Sequence, residues 1–187
     1  MQSLKILLTV ANNKKMFLRT FDINHAFLYT NLNEELYIPH PQNNKFVTPL
    51  KKSLYGLKQS PYNWNKTLKQ FMNSIGLRDS NYSPGLYVSE DESIMIAAYV
   101  DDCIIAAEKE DKLEQYMKIL KNRFALKELG FMRNNQLKTD ILGLDLNYDR
   151  AEGIIQLNIK NYIEKMFEDY EEIISRKEKI NSVSNIY

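Results

Sequence analysis

The sequence predicts one α+β domain, an antiparallel sheet with helices packed on one face. Three observations predict it. Short apolar runs such as 94–98 and 104–107 are bounded by acidic turns and read as strands. Two longer segments, around Trp64–Leu68–Phe71 and Leu113–Met117–Leu120, repeat apolar residues at helical spacing. These elements alternate as strand, helix, paired strands, helix, strands, with no internal repeat, low-complexity stretch or linker. At 187 residues the chain can bury a substantial core, and a hydrophobic fraction of 44% excludes global disorder.

The elements follow in order. Leu4, Ile6, Leu7, Leu8 and Val10 predict a short helix that Ser3 can cap. Residues 16–23, with Phe17, Leu18, Phe21 and Ile23, predict a strand carrying Asp22 near its end, and 24–32 a loop or short helix. Leu36, Tyr37 and Ile38 predict an extended piece stopped by Pro39 and Pro41. Pro61 suits the first turn of a helix that continues through Ile75 and ends at Gly76. Residues 86–89 and 94–100 read as strands around Glu90-Asp91-Glu92, and a second turn at Asp101-Asp102 leads into 103–107. An amphipathic helix is expected over 109–124, a hairpin from 141–148 and 153–157, and a last helix over 159–170. The domain is thus expected over 1–170, followed by a polar tail at 171–187.

The net charge of +1 conceals a sorted pattern. From 36 to 78 every formal charge is positive: Lys45, Lys51, Lys52, Lys58, Lys66, Lys69 and Arg78. From 79 to 114 acids dominate, with only Lys109 and Lys112 against them. A basic stretch can neutralise phosphates and an acidic cluster can hold a divalent ion, although solvated faces carry such patterns too. The apolar runs are too short to span a bilayer, no secretory leader opens the chain, and a single cysteine, Cys103, excludes an internal disulfide framework.

Three carboxylates stand where ionised groups are costly. Asp22 ends an apolar strand, and Asp101 and Asp102 sit at the turn of an apolar hairpin. If the strand carrying Asp22 neighbours that hairpin, all three converge, and such crowded charges call for a cation. Two Mg²⁺ ions, or Mn²⁺ in their place, would serve phosphoryl transfer there. An acidic hairpin turn is the plain alternative, since Asp is common in turns.

The flanking residues decide between them. Tyr99-Val100-Asp101-Asp102 resembles the Tyr-x-Asp-Asp box of reverse transcriptases. Phe21-Asp22-Ile23-Asn24-His25-Ala26-Phe27-Leu28 resembles the first catalytic box of copia-type enzymes, an Asp followed five residues later by an aromatic. Ser53-Leu54-Tyr55-Gly56-Leu57-Lys58-Gln59-Ser60-Pro61, followed by Trp64, matches that family's most specific box. Fainter likenesses continue through Phe124-Ala125-Leu126-Lys127-Glu128-Leu129-Gly130 and Ile141-Leu142-Gly143-Leu144. Three boxes in order identify the chain as resembling a copia-type retrotransposon reverse transcriptase, over about residues 1–170.

The resemblance implies a ferredoxin-like reverse-transcriptase palm with partial fingers and the start of a thumb. It implies RNA-directed DNA polymerase activity by two-metal nucleotidyl transfer to a primer 3′-hydroxyl. Asp22, Asp101 and Asp102 would be catalytic and bind the metal ions. Phe27 would gate against the ribose 2′-hydroxyl, the group that separates RNA from DNA. Tyr55, Gly56 and Gln59 would line the nucleotide pocket, with Lys58, Leu142 and Gly143 near nucleic acid. Lys127 matches a position linked to protonating pyrophosphate, and Trp64 is expected to pack its helix rather than stack on a base. The implied partners are an RNA or DNA template with primer, deoxynucleoside triphosphates and the remainder of a Pol polyprotein, with no membrane. The implied location is cytoplasmic virus-like particles, with the nucleus as the alternative.

Two departures stand out. Thr30 occupies a position where the family usually has glycine. The chain also begins only about twenty residues before Asp22 and ends soon after the last expected helix, so by the family's pattern part of the fingers and most of the thumb are expected to be missing. A truncated, inactive remnant, or a non-enzymatic protein that interferes with a full-length copy, is the competing expectation. The intact Asp22, Asp101 and Asp102 argue against decay, and the boxes argue against a nucleotide cyclase or another palm-type enzyme.

Overall fold

A computed structural model describes residues 1–170 except 33, 82, 161 and 169; the expected tail at 171–187 lies outside the described residues. The centre of the fold is a six-stranded sheet in the order β4-β5-β6-β7-β1-β8. Its strands are β1 (Phe17–Ile23), β4 (Leu77–Asp79), β5 (Leu86–Ser89), β6 (Ile94–Tyr99), β7 (Asp102–Ala107) and β8 (Leu126–Phe131), with every pairing antiparallel.

The expected layering holds for two helices and is extended by a third. Helices α2 (Ser60–Ser74) and α3 (Glu110–Arg123) cover one face, burying Trp64, Leu68, Met72, Leu113, Met117 and Leu120 against Phe21, Ile96, Cys103 and Ile105. The first helix, α1 (Gln2–Asn13), takes the opposite face. Leu4, Leu7, Leu8 and Ala11 meet Leu18, Met95, Ala97, Ile104 and Ala106 there. Successive residues of β6 and β7 therefore enter different cores, which is why both strands read as unbroken apolar runs rather than alternating ones.

A three-stranded sheet, β9 (Gln136–Ile141), β10 (Leu144–Asp149) and β11 (Ile154–Asn158), completes the second core through Leu137, Ile141, Leu146 and Tyr148. The Tyr148 hydroxyl donates to the Met16 carbonyl at 3.0 Å. At Gly130 of β8, a Cβ would stand 2.6 Å from Thr139 Cβ and 2.9 Å from Thr20 Oγ1, so β1, β8 and β9 converge only because this residue lacks a side chain. Thr20 and Thr139 share a hydroxyl hydrogen bond of 2.9 Å across the same junction.

Several boundaries differ from expectation. Ser3 does not cap α1; the helix begins at Gln2, and the Ser3 hydroxyl donates to the Pro84 carbonyl at 2.8 Å. Pro39 does not stop its strand. It lies inside β2 (Tyr37–His40), which pairs only with β3 (Asn43–Pro49) in a separate ribbon where a missing N–H costs no second pairing. The helix from Pro61 ends at Ser74, and Gly76 follows at φ +84°, a left-handed conformation glycine adopts freely. Residues 160, 162–168 and 170 are helical, as expected. Among the described residues no helix is long and apolar enough to cross a membrane.

Candidate active site

The site lies where β1 ends and β7 begins. These strands pair with Asp22 directly opposite Asp102, and the Ile23 amide donates to the Asp101 carbonyl at 2.9 Å. Tyr99 pairs with Asp102, so the hairpin loop is Val100-Asp101, one residue earlier than the expected turn at Asp101-Asp102. The sheet thus places all three predicted carboxylates, each half-buried, at one end.

Val100 adopts φ +58°. A β-branched side chain in the left-handed region costs on the order of 1–3 kcal/mol and persists only where its surroundings fix it. The fixing contact comes from α2: Trp64 Nε1–H donates to the Val100 carbonyl at 2.7 Å. Trp64 also stacks edge-on with Phe124, 5.6 Å between ring centroids, so it packs its helix as expected and buttresses the loop as well.

Charge crowding marks the carboxylates. Burial and then the Asp101 charge hold Asp22 above the usual carboxylate range, with Lys127 and His25 acting against them. Asp102 is raised by burial, then by Asp101, Asp22 and Asp140. Lys127 stands opposite Asp22 on β8, so its cation flanks the cluster. The Tyr55 hydroxyl donates to Asp101 Oδ2 at 2.8 Å. Burial and that bond push Tyr55 up to about 12, so the phenol stays protonated at neutral pH.

Of the expected nucleotide residues, Tyr55 reaches Asp101 and Phe27 packs against Tyr55. Phe27 lies buried on the 3₁₀ turn Ala26–Tyr29, its ring centroid 4.5 Å from that of Tyr55. Gly56 adopts φ +94°, and a Cβ there would meet nothing within 4 Å, so backbone conformation rather than crowding by the protein explains it. Gln59 is half-buried, with Nε2 3.5 Å from Glu34 Oε2, and Lys58 is exposed. Thr30 is buried; its hydroxyl donates to the Phe27 carbonyl at 2.9 Å, and its own carbonyl accepts from the Ser53 amide at 3.0 Å. Thr30 thereby ties the turn bearing Phe27 to the loop bearing Tyr55.

Leu142 and Gly143 form the two-residue loop of β9–β10, at φ +55° and +72°. Leu142 lines a cavity of about 240 Å³ together with Tyr99, Asp102 and the start of α1. Gly143 stands exposed outside that lining. Sequence reasoning missed the Tyr55–Asp101 bond, the Trp64–Val100 bond and the influence of Asp140 on Asp102. None has a local signal, because each joins residues far apart in the chain.

The donor chemistry fits a hard divalent cation: carboxylate oxygens crowded until two of them resist ionisation. Among the described residues, however, no three carboxylate, imidazole or thiolate groups stand close enough together to bind one ion. Asp22, Asp101 and Asp102 supply the right atoms, with one Asp101 oxygen engaged by Tyr55.

The family model described as reverse transcriptase (RNA-dependent DNA polymerase) matches residues 1–180. The Transposon Ty1-NL2 Gag-Pol polyprotein of Saccharomyces cerevisiae is 33% identical over 150 residues, covering 78% of this chain and 8% of that protein. The Ty1-DR5 Gag-Pol polyprotein of the same yeast is 31% identical over 159 residues, covering 82% and 9%. The chain therefore spans less than a tenth of the length of these relatives. In fold, it is similar to an apo telomerase from Candida tropicalis truncated from its C-terminal domain. That likeness has a TM-score of 0.50 at 12% identity, over 84% of this chain and 40% of that one. By the family match and these relatives, the chain belongs to the reverse transcriptase family, in its copia-type retrotransposon branch, and its sheet and helices form a reverse-transcriptase palm.

Proposed function

We propose that this chain carries the nucleotidyl-transfer centre of an RNA-directed DNA polymerase, adding deoxynucleotides to a primer 3′-hydroxyl on an RNA or DNA template. One observation carries the reading: Asp22 and Asp102 face each other across β1 and β7, with Asp101 bonded through its backbone to the same strand end. Asp22 and Asp101 are the principal metal-holding groups, and Asp102 is the adjacent acid. Two divalent ions, when bound, supply Lewis acidity that activates the primer hydroxyl and stabilises the departing pyrophosphate.

The protein's own residues orient the substrates. The Phe27 ring, buried under Tyr55, forms a floor against which a 2′-hydroxyl would clash. Lys127, beside Asp22, places a cation where the triphosphate's charge accumulates. Gln59 and Gly56 border the base and sugar, Lys58 faces phosphate, and the Leu142-Gly143 loop faces the primer end. The segment belongs to a longer Pol polyprotein working in cytoplasmic particles.

The test is Mg²⁺- or Mn²⁺-dependent extension of a DNA primer on poly(rA), beside an Asp101→Asn variant. Incorporation that vanishes in the variant is the expected result. Incorporation that survives Asp101→Asn would refute the assignment of the centre.

A further inference from the structure

The Tyr55 hydroxyl occupies an oxygen that a cation would need. It donates at 2.8 Å to Oδ2 of Asp101, the carboxylate on the catalytic loop. Among the described residues no three metal donors are gathered, although the sheet register has already brought Asp22 and Asp102 together. The phenol's bond engages one of the two Asp101 carboxylate oxygens. Tyr55 is also half of the aromatic pair at the expected sugar position, 4.5 Å from Phe27. It is 58% exposed, so little packing holds the ring in place. Next to it, Gly56 stands at φ +94° with open space around its Cβ position.

We infer that Tyr55 is a positioning residue that competes with the divalent ion for Asp101, so that metal capture is coupled to movement of the Tyr55 ring when a nucleotide enters. The inference rests on the proposed polymerase centre and adds regulation to it. A nucleotide that displaces the ring from Phe27 also breaks the hydroxyl bond and frees Oδ2 for the cation. By linkage, a metal ion that captures Oδ2 releases the ring and eases nucleotide entry by the same factor. The device would weaken cation binding in a site that holds no substrate.

The experiment is Mn²⁺ binding to the whole chain without nucleotide, measured by electron paramagnetic resonance, for the wild type, Tyr55→Phe and Asp101→Asn. Removing a hydrogen bond to a charged acceptor should tighten Mn²⁺ binding in Tyr55→Phe by about tenfold or more. Asp101→Asn should lose that binding. Primer extension by Tyr55→Phe should correspondingly reach half its maximum at a lower Mg²⁺ concentration. Circular dichroism confirms folding, and Tyr55 lies outside both cores. If Tyr55→Phe binds Mn²⁺ no more tightly than wild type while Asp101→Asn loses it, the competition is overturned and the centre stands. If Asp101→Asn binds as wild type does, the centre itself is wrong and the inference falls with it.

Discussion

Two tight hairpins of this molecule break the same backbone rule with different support. The β6–β7 loop holds Val100 at φ +58°, and the β9–β10 loop holds Leu142 at +55° and Gly143 at +72°. Positive φ suits two-residue hairpin loops, because it matches the twist of the flanking strands. In β9–β10 a glycine takes one of the two positions, and Leu142 packs against the second core. In β6–β7 the strained residue is β-branched, its carbonyl is held by Trp64, and the next residue is bonded to Tyr55. In β6–β7 residues from outside the hairpin hold the strained turn, whereas in β9–β10 Gly143 takes one of the two positive angles without a side-chain penalty.

The largest effect should come from the acids that only the first hairpin presents. Asp22→Asn or Asp101→Asn should lower metal-dependent primer extension by at least about a hundredfold, beyond the range for supporting residues around a metal site. Steady-state incorporation measures this. Next, Trp64→Phe keeps the ring but removes the N–H that holds Val100. It should lower kcat by about tenfold, within the range for supporting groups, with little change in nucleotide KM. A loss matched by an equal loss of thermal stability would show Trp64 to be core packing alone.

Gly143→Ala isolates the backbone cost in the β9–β10 hairpin. A Cβ there meets nothing within 4 Å, so only the left-handed conformation penalises it, and denaturant unfolding should show about 1 kcal/mol of destabilisation. The smallest effect concerns pH. Asp22 and Asp102 sit above their ordinary values in the folded chain, so between the unfolded and folded values the native state binds more protons. Stability therefore falls as pH rises through that window. Asp101→Asn removes a like charge from both, and should raise Tm slightly at pH 7. That gain should disappear below about pH 4, where the carboxylates protonate in either state. Both groups are partly exposed, so solvent screening keeps the shift small.

Much of this was legible in the sequence, for identifiable reasons. The strands β5, β6 and β7 announce themselves by dense apolar residues between acidic turns, and α2 and α3 by helical spacing. The same density held information that was not used. Ile94-Met95-Ile96-Ala97 does not alternate because both faces of β6 are covered, which places α1 opposite α2 and α3. Strands β3, β8 and β9 escaped notice because polar residues such as Asn43, Lys127, Glu128 and Lys138 interrupt their apolar residues, and their pairing comes from tertiary partners rather than propensity. The three acids were found because ionised groups at apolar strand ends are costly. Tyr55 as a partner of Asp101, 46 residues away, was not: an exposed tyrosine in a loop carries no sign of what its hydroxyl will meet.

The most direct test of the central claim is to locate the cation. With Fe²⁺ in place of Mg²⁺, ascorbate and peroxide generate hydroxyl radicals that cut the backbone beside the bound ion. Cuts are expected only at the ends of β1 and β7, around Asp22 and Asp101, competed by Mg²⁺ and lost in Asp101→Asn. Cuts elsewhere, or an unchanged pattern in Asp101→Asn, would contradict that claim.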